Sequence, residues 1–279
     1  PMPGVSGTGT SGSVTIPSSG DVIECRFTNA PLVADVTVSK TLLDANGENP
    51  QPGPGWTVGA GSVATTGTVT QTPSAATQQT STQGNASWSL RFNNSSARAT
   101  VAVSETQQEG YEFVSGECAV VSLDGSVREV VLTSETGTNL TGVAPGDMVA
   151  CEYMNKPLPR LTLVKEVTNP EGAEGYAAAT DWTLAATGTG TAVGTTITGR
   201  TGAAAVTNQY VPTGSYVLTE TFAGVSDLSA GYTWESLVCV NTANNAVVYT
   251  APTQGGVVSE GATLPLTSAI DVTCTYTNS

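Results

Sequence analysis

The 279-residue chain carries only 11% charged residues, 9 basic against 23 acidic for a net charge of −14, and no histidine. Soluble domains usually hold about a quarter charged residues, so Thr, Ser, Asn and Gln must make this surface polar. The missing imidazole excludes Ser-His-Asp and Cys-His catalysis and the commonest metal ligand sets, and the acidic balance repels nucleic acid and anionic membrane.

Residues 1–30 end in Cys25-Arg-Phe-Thr-Asn29, and this ending returns as Cys151-Glu-Tyr-Met-Asn155 and Cys274-Thr-Tyr-Thr-Asn278. After each of the first two endings comes a strand-like run closing in lysine, Val36-Thr-Val-Ser-Lys40 and Leu161-Thr-Leu-Val-Lys165. Trp56-Thr-Val and Trp182-Thr-Leu follow, then Val101-Ala-Val-Ser-Glu105-Thr and Tyr216-Val-Leu-Thr-Glu220-Thr. A Gly-Tyr pair next precedes a cysteine at one distance, Gly110-Tyr111 before Cys118 and Gly231-Tyr232 before Cys239. Six anchors recur in one order, with Lys-to-Asn spans of 115 and 113 residues. The chain therefore reads as two tandem copies, 31–157 and 158–279, preceded at 1–30 by the last two strands of an incomplete one. Of five cysteines, Cys25 is left unpaired, because its partner in a complete copy would lie before residue 1.

Alternating Val, Thr, Tyr and Leu between Gly, Pro, Asn and Asp clusters predict strands in the first copy at 33–42, 55–60, 86–92, 98–105, 111–115, 118–123, 127–133 and 147–154. The Ala runs at 177–179 and 203–205 are too short for helices. Seven or eight short strands in about 120 residues predict an all-β fold of tandem Greek-key, Ig-like antiparallel sandwiches. The Thr65 to Gly84 stretch reads as a surface hairpin or loop, and the Pro-bearing joints Asn29-Ala-Pro31 and Asn155-Lys-Pro157 as short and stiff. No apolar run is long enough to span a bilayer.

Side chains two apart on a strand share a face. Lys40 thus points with Val36 and Val38, Glu105 with Val101 and Val103, and Asn155 with Cys151 and Tyr153; Lys165, Glu220 and Asn278 repeat this. Two of the chain's three lysines occupy the repeated position, and Lys156 sits in the linker. Burying an unpaired ammonium or carboxylate costs several kcal/mol, so these groups must meet. One chemistry uses all three: a desolvated, neutral lysine amine attacks the asparagine carboxamide while a buried, protonated glutamic acid polarises it and shuttles protons. Folding would drive that reaction once per copy, so no turnover enzyme is expected.

These Lys, Glu and Asn boxes resemble those of collagen-adhesin B-type, SpaA-like pilin domains, a prealbumin-like fold of Gram-positive surface proteins; the Cys-bearing form is similar to repeats of actinobacterial ones. The resemblance implies isopeptide bonds Lys40–Asn155 with Glu105 as catalytic acid and Lys165–Asn278 with Glu220. It also implies an extracellular stalk or filament at the cell wall, whose partners are further repeats or neighbouring copies. The chain departs from the family in lacking an LPxTG-like sorting signal and a pilin-type lysine motif.

Cys118 with Cys151, and Cys239 with Cys274, would close loops of similar length, and without CxxC or histidine they read as disulfides of an oxidising compartment rather than metal ligands. No metal or cofactor is expected. Asp44-Ala-Asn-Gly-Glu48 has the wrong spacing for a calcium loop and reads as a turn. Trp56 and Trp182 read as core residues. The alternative function is an adhesive module that binds a host protein or glycan through the Thr65–Gly84 excursion.

Overall fold

The computed structural model describes residues 5–8, 11–15, 20, 22, 24, 31–169, 176–224, 231–251, 253–254, 257–258, 262–266 and 269–279. Cys25 and Asn29 lie outside the described residues, and so does most of the expected partial copy. Residues 1–31 and 32–279 form two compact units. In the first, β1 (Val5–Thr8) pairs antiparallel with β2 (Ser11–Val14).

The second unit holds two sandwiches. The first contains β3 (Val33–Leu42), β4 (Gln51–Pro52), β5 (Thr57–Thr66), β6 (Val69–Thr72), β7 (Thr77–Gln79), β8 (Asn85–Phe92), β9 (Arg98–Glu105), β10 (Tyr111–Val121), β11 (Val127–Leu132), β12 (Thr138–Val143) and β13 (Met148–Pro157). One sheet runs β11-β10-β13-β3-β8-β6 with β4 also on β3, and the facing sheet runs β12-β9-β5-β7. The second sandwich contains β14 (Arg160–Val167), β15 (Trp182–Thr189), β16 (Thr196–Gly199), β17 (Gln209–Tyr210), β18 (Gly214–Phe222), β19 (Trp234–Asn241), β20 (Val247–Thr250), β21 (Thr253–Gln254), β22 (Val257–Val258), β23 (Ala262–Leu266) and β24 (Asp271–Asn278). Its main sheets run β17-β14-β24-β19-β20 and β16-β15-β18-β23. The short Ala runs contribute only to single 3₁₀ turns, at Ala179–Asp181 and Ala204–Val206.

Period-two alternation explains the layers. Along β3 and β13 buried residues alternate with half-buried or exposed ones, which sets Val36, Val38, Val149 and Tyr153 against Val101 and Val103 of β9. Leu161, Leu163, Tyr216, Leu218 and Tyr276 do the same in the second core. Each such side chain contributes about 1.5–3 kcal/mol on burial.

Three features differ from the predicted elements. The sandwiches are not wholly antiparallel: first and last strands lie side by side and parallel, β3 with β13 and β14 with β24. Strands predicted at 111–115 and 118–123 are one strand, because a bulge between Phe113 and Ser115 absorbs the half-exposed Val114 without breaking the ladder. The Thr65–Gly84 stretch is no free loop, since β6 extends one sheet beside β8 and β7 extends the other beside β5. Its polar backbone satisfies its hydrogen bonds on two otherwise open edges.

The joint between the sandwiches is short and tied. Leu158 N–H donates to the Gly110 carbonyl at 2.8 Å, and the Lys156 ammonium lies 3.1 Å from Glu112 Oε1. The Thr213 hydroxyl of the second sandwich donates to the same Glu112 oxygen at 3.2 Å.

Candidate functional site

The parallel pairing places lysine and asparagine together. Lys40 is in register with Tyr153 and Lys165 with Tyr276, so Asn155 and Asn278 stand two residues further along the neighbouring strand, on the same inward face. The acid comes from the opposite sheet: Glu105 ends β9 and Glu220 lies on β18. Lys40 Nζ is 2.8 Å from Glu105 Oε2, and Lys165 Nζ is 2.6 Å from Glu220 Oε2. Asn278 Nδ2 donates to the other Glu220 oxygen at 3.0 Å, so this carboxylate bridges amine and carboxamide. In the second sandwich Lys165, Glu220 and Asn278 thus meet in one pocket, and in the first Lys40 pairs with Glu105 while Asn155, buried two register positions along, bonds Gln107.

Both lysines are sealed from water, at 1% and 3% exposure for Lys40 and Lys165. Desolvation lowers the Lys40 amine to a pKa of about 8, against a partial opposing pull from Glu105. The same loss of water lowers Lys165. Burial also pushes the Tyr153 and Tyr276 phenols upward, so both stay neutral beside the amines. The acids differ in access: the Glu105 side chain is fully enclosed, whereas that of Glu220 is 16% exposed. The first pocket is not fully satisfied. Lys40 and Glu105 answer each other through their 2.8 Å ion pair, but Asn155 Oδ1 is buried without a hydrogen-bond partner. Asn278 Oδ1 is orphaned likewise. An unpartnered buried carbonyl of this kind costs about 1–3 kcal/mol.

Several residues belong to the site although sequence reasoning gave them other roles or none. Lys40 Nζ lies 4.3 Å from the centre of the Trp56 ring and Lys165 Nζ 4.8 Å from that of Trp182. Tyr111 and Tyr232, from the repeated Gly-Tyr pairs, pack edge-on against these rings with centroids 5.3 Å away. Their recurrence with the lysine spacing was the available signal. Gly53 lacks the Cβ that would fall 2.6 Å from Lys40 Cγ, and so admits the lysine stem. Gln107 accepts a hydrogen bond from Asn155 Nδ2 at 3.2 Å, and nothing in the sequence marks it.

The disulfides form as expected, Cys118–Cys151 and Cys239–Cys274, each between directly opposed residues of adjacent strands. Asp44 organises a turn by accepting from Asn46 N–H, Glu48 N–H and Asn49 Nδ2. Those bonds, Asn49 foremost, hold its carboxyl below the usual range. Beside β6, an open groove of about 580 Å³ is lined by Gly61, Val63, Val69 and Gln71. No helix among the described residues is long and apolar enough to cross a membrane.

Residues 157–276 match a family described as a prealbumin-like fold domain of the SpaA type. Among solved structures, the major pilin of Streptococcus pyogenes is 15% identical at a TM-score of 0.31, with 89% of this chain and 98% of that one covered. Two B repeat units of the collagen binding protein of Staphylococcus aureus are 12% identical at 0.21, covering 88% and 76%. The pilus adhesin SpaC of Lactobacillus rhamnosus GG is 10% identical at 0.22, covering 80% and 42%. These three likenesses are loose and carry no argument about assembly or ligands. No curated protein matches the sequence. The second sandwich is thus similar to a SpaA-type prealbumin-like fold domain over residues 157–276, and residues 32–157 repeat its order of first, last, acid-bearing and cysteine-bearing strands.

Proposed function

We propose that each sandwich joins its own first and last strands through a Lys–Asn isopeptide bond, and that the chain is a segment of an extracellular stalk or filament built from such repeats. Residues 31–157 and 158–279 are the two repeats, with 1–30 the closing strands of a preceding one. The observation carrying this reading is a twice-repeated constellation. A dehydrated lysine shares a strand pair with a buried asparagine, and a carboxylate of the opposite sheet sits 2.8 or 2.6 Å from the amine.

The neutral amine of Lys40 attacks Cγ of Asn155; the Nζ–Cγ bond forms and the Cγ–Nδ2 bond breaks. The glutamate relays one amine proton to the departing nitrogen, which leaves as ammonia. Lys165, Asn278 and Glu220 perform the same steps. First and last strands are where tension enters a domain held by its ends, so a bond between them bypasses the rest of the sandwich. The disulfide ties β13 to β10, and β24 to β19, on the same inner strands. A load-bearing module is what two such ties serve.

Intact mass spectrometry of the reduced, denatured chain tests this directly. The mass is expected to fall short of the sequence by two ammonia molecules, and digestion should yield branched Lys40–Asn155 and Lys165–Asn278 peptides. An unshifted mass sinks the reading. A pH series sharpens it, using chains collected in denaturant before they fold. Because burial lowers Lys40 to a pKa of about 8, the neutral fraction grows with pH below that value. Closure in the first repeat should therefore quicken about tenfold per pH unit up to roughly 8 and then level off. A rate indifferent to pH across that window would contradict amine attack.

A further inference from the structure

Among the differences between the two pockets is the residue just past the acid. Two residues beyond the acid, the first repeat has Gln107 and the second has Phe222. Gln107 is half-buried, just past the end of β9. Its Nε2 donates to two backbone carbonyls, Tyr111 at 2.7 Å and Gln108 at 3.2 Å. Carbonyls only accept, so the Gln107 carboxamide has one permitted orientation, with Oε1 turned toward Asn155. Only an N–H can meet that oxygen, and Asn155 Nδ2 does so at 3.2 Å. The orientation of one amide thereby dictates the other. Asn155 Oδ1 stays buried and unpartnered, open to a proton donor, while the nitrogen that must leave is held toward the half-exposed Gln107. In the second repeat the apolar Phe222 packs on Trp182 instead, and Asn278 Nδ2 is held by the acid itself.

We propose that Gln107 is a positioning residue for the first repeat, orienting the Asn155 carboxamide so that its oxygen is left for the acid and its nitrogen faces the exit. This rests on the isopeptide reading and adds a separable claim: closure in the first repeat depends on Gln107, and closure in the second has no such dependence. The covalent step is unchanged, with Nζ–Cγ formed, Cγ–Nδ2 broken and ammonia released. Without Gln107 the carboxamide is free to flip, and productive orientations become a minority.

The test uses the full chain, collected in denaturant before it folds and then refolded, with both branched peptides timed in the same sample. Gln107→Met is expected to slow Lys40–Asn155 closure about tenfold, the scale of one lost hydrogen bond to a reacting group, and to leave Lys165–Asn278 at its wild-type rate. Formation of the Cys118–Cys151 disulfide confirms that the first repeat has folded. Equal closure rates in variant and wild type overturn the role of Gln107 while the isopeptide reading stands. Absence of both branched peptides from wild type overturns the reading and the role together. A second readout does not depend on rate. In the unreacted Glu105→Gln chain, the Asn155 Nδ2 protons should give two NMR resonances slow to exchange with water, and adding Gln107→Met should collapse their protection. Unaltered resonances would also refute the assignment.

Discussion

Glu105→Gln is expected to leave the first repeat folded but unjoined, with the chain losing one ammonia instead of two and the first repeat melting about 15–20 °C lower. The isostere keeps the volume of a fully enclosed side chain, so the core does not collapse around a void. It cannot relay a proton, and it removes the only influence from the opposite sheet that raises the Lys40 pKa. The lysine then stays neutral but idle. The penalty comes chiefly from the lost tie across 115 residues of chain, about 4–5 kcal/mol by the loop-closure argument. Intact mass and differential scanning calorimetry of the full chain measure both effects, and the second repeat serves as the internal reference. Two ammonia losses in this variant, or an unchanged first transition, would remove Glu105 from the mechanism.

Gly137→Ala should destabilise the first repeat by roughly 2–5 kcal/mol. Gly137 has φ +70°, and a Cβ there would lie 1.8 Å from the Val103 carbonyl oxygen and 2.5 Å from the Tyr153 hydroxyl. Neither neighbour can yield: Val103 lies within β9, and Tyr153 is the register partner of Lys40. The turn must move instead, and Glu105 N–H donates to the Glu135 carbonyl of that same turn at 2.9 Å. The acid is thus disturbed through its own backbone, so closure of the first repeat should slow while the second is untouched. Denaturant unfolding gives the stability change and branched-peptide yield gives the closure. A variant as stable as wild type would mean that the turn relaxes without displacing β9.

The strands were legible because their signal is local. A period-two alternation such as Val36-Thr-Val-Ser-Lys40 needs only the pleat to predict its inward face, and β3 and β9 run over the residues expected. The cysteine partners were legible because recurrence in two copies constrains them. Less could be read where a residue's role depends on which segments come to lie beside it. Trp56 reads as core from its recurrence in both copies, yet its place against the Lys40 amine is set by the chain entering β5 beside the lysine. Gln107 carries no pattern at all, since its orientation follows from two carbonyls in the turn leading to β10. The Thr65–Gly84 stretch misled because its Thr, Gln and Ser composition suits both a loop and an edge strand.

By itself the sequence determined an all-β chain with two copies of one pattern, and it named the amine, acid and carboxamide that each copy turns inward. Alternation and repetition are short-range or self-referential properties, visible without knowing any neighbour. The tertiary structure alone decided that the first and last strands run parallel and adjacent, setting lysine beside asparagine, and that the acid arrives from the facing sheet. It alone also made the two pockets unequal, with the Glu105 side chain fully enclosed and that of Glu220 16% exposed. Those outcomes depend on contacts between residues far apart in the chain, 48 positions for Gln107 and Asn155 and more than 100 for the paired first and last strands, whose register is chosen by the packing of the whole sandwich.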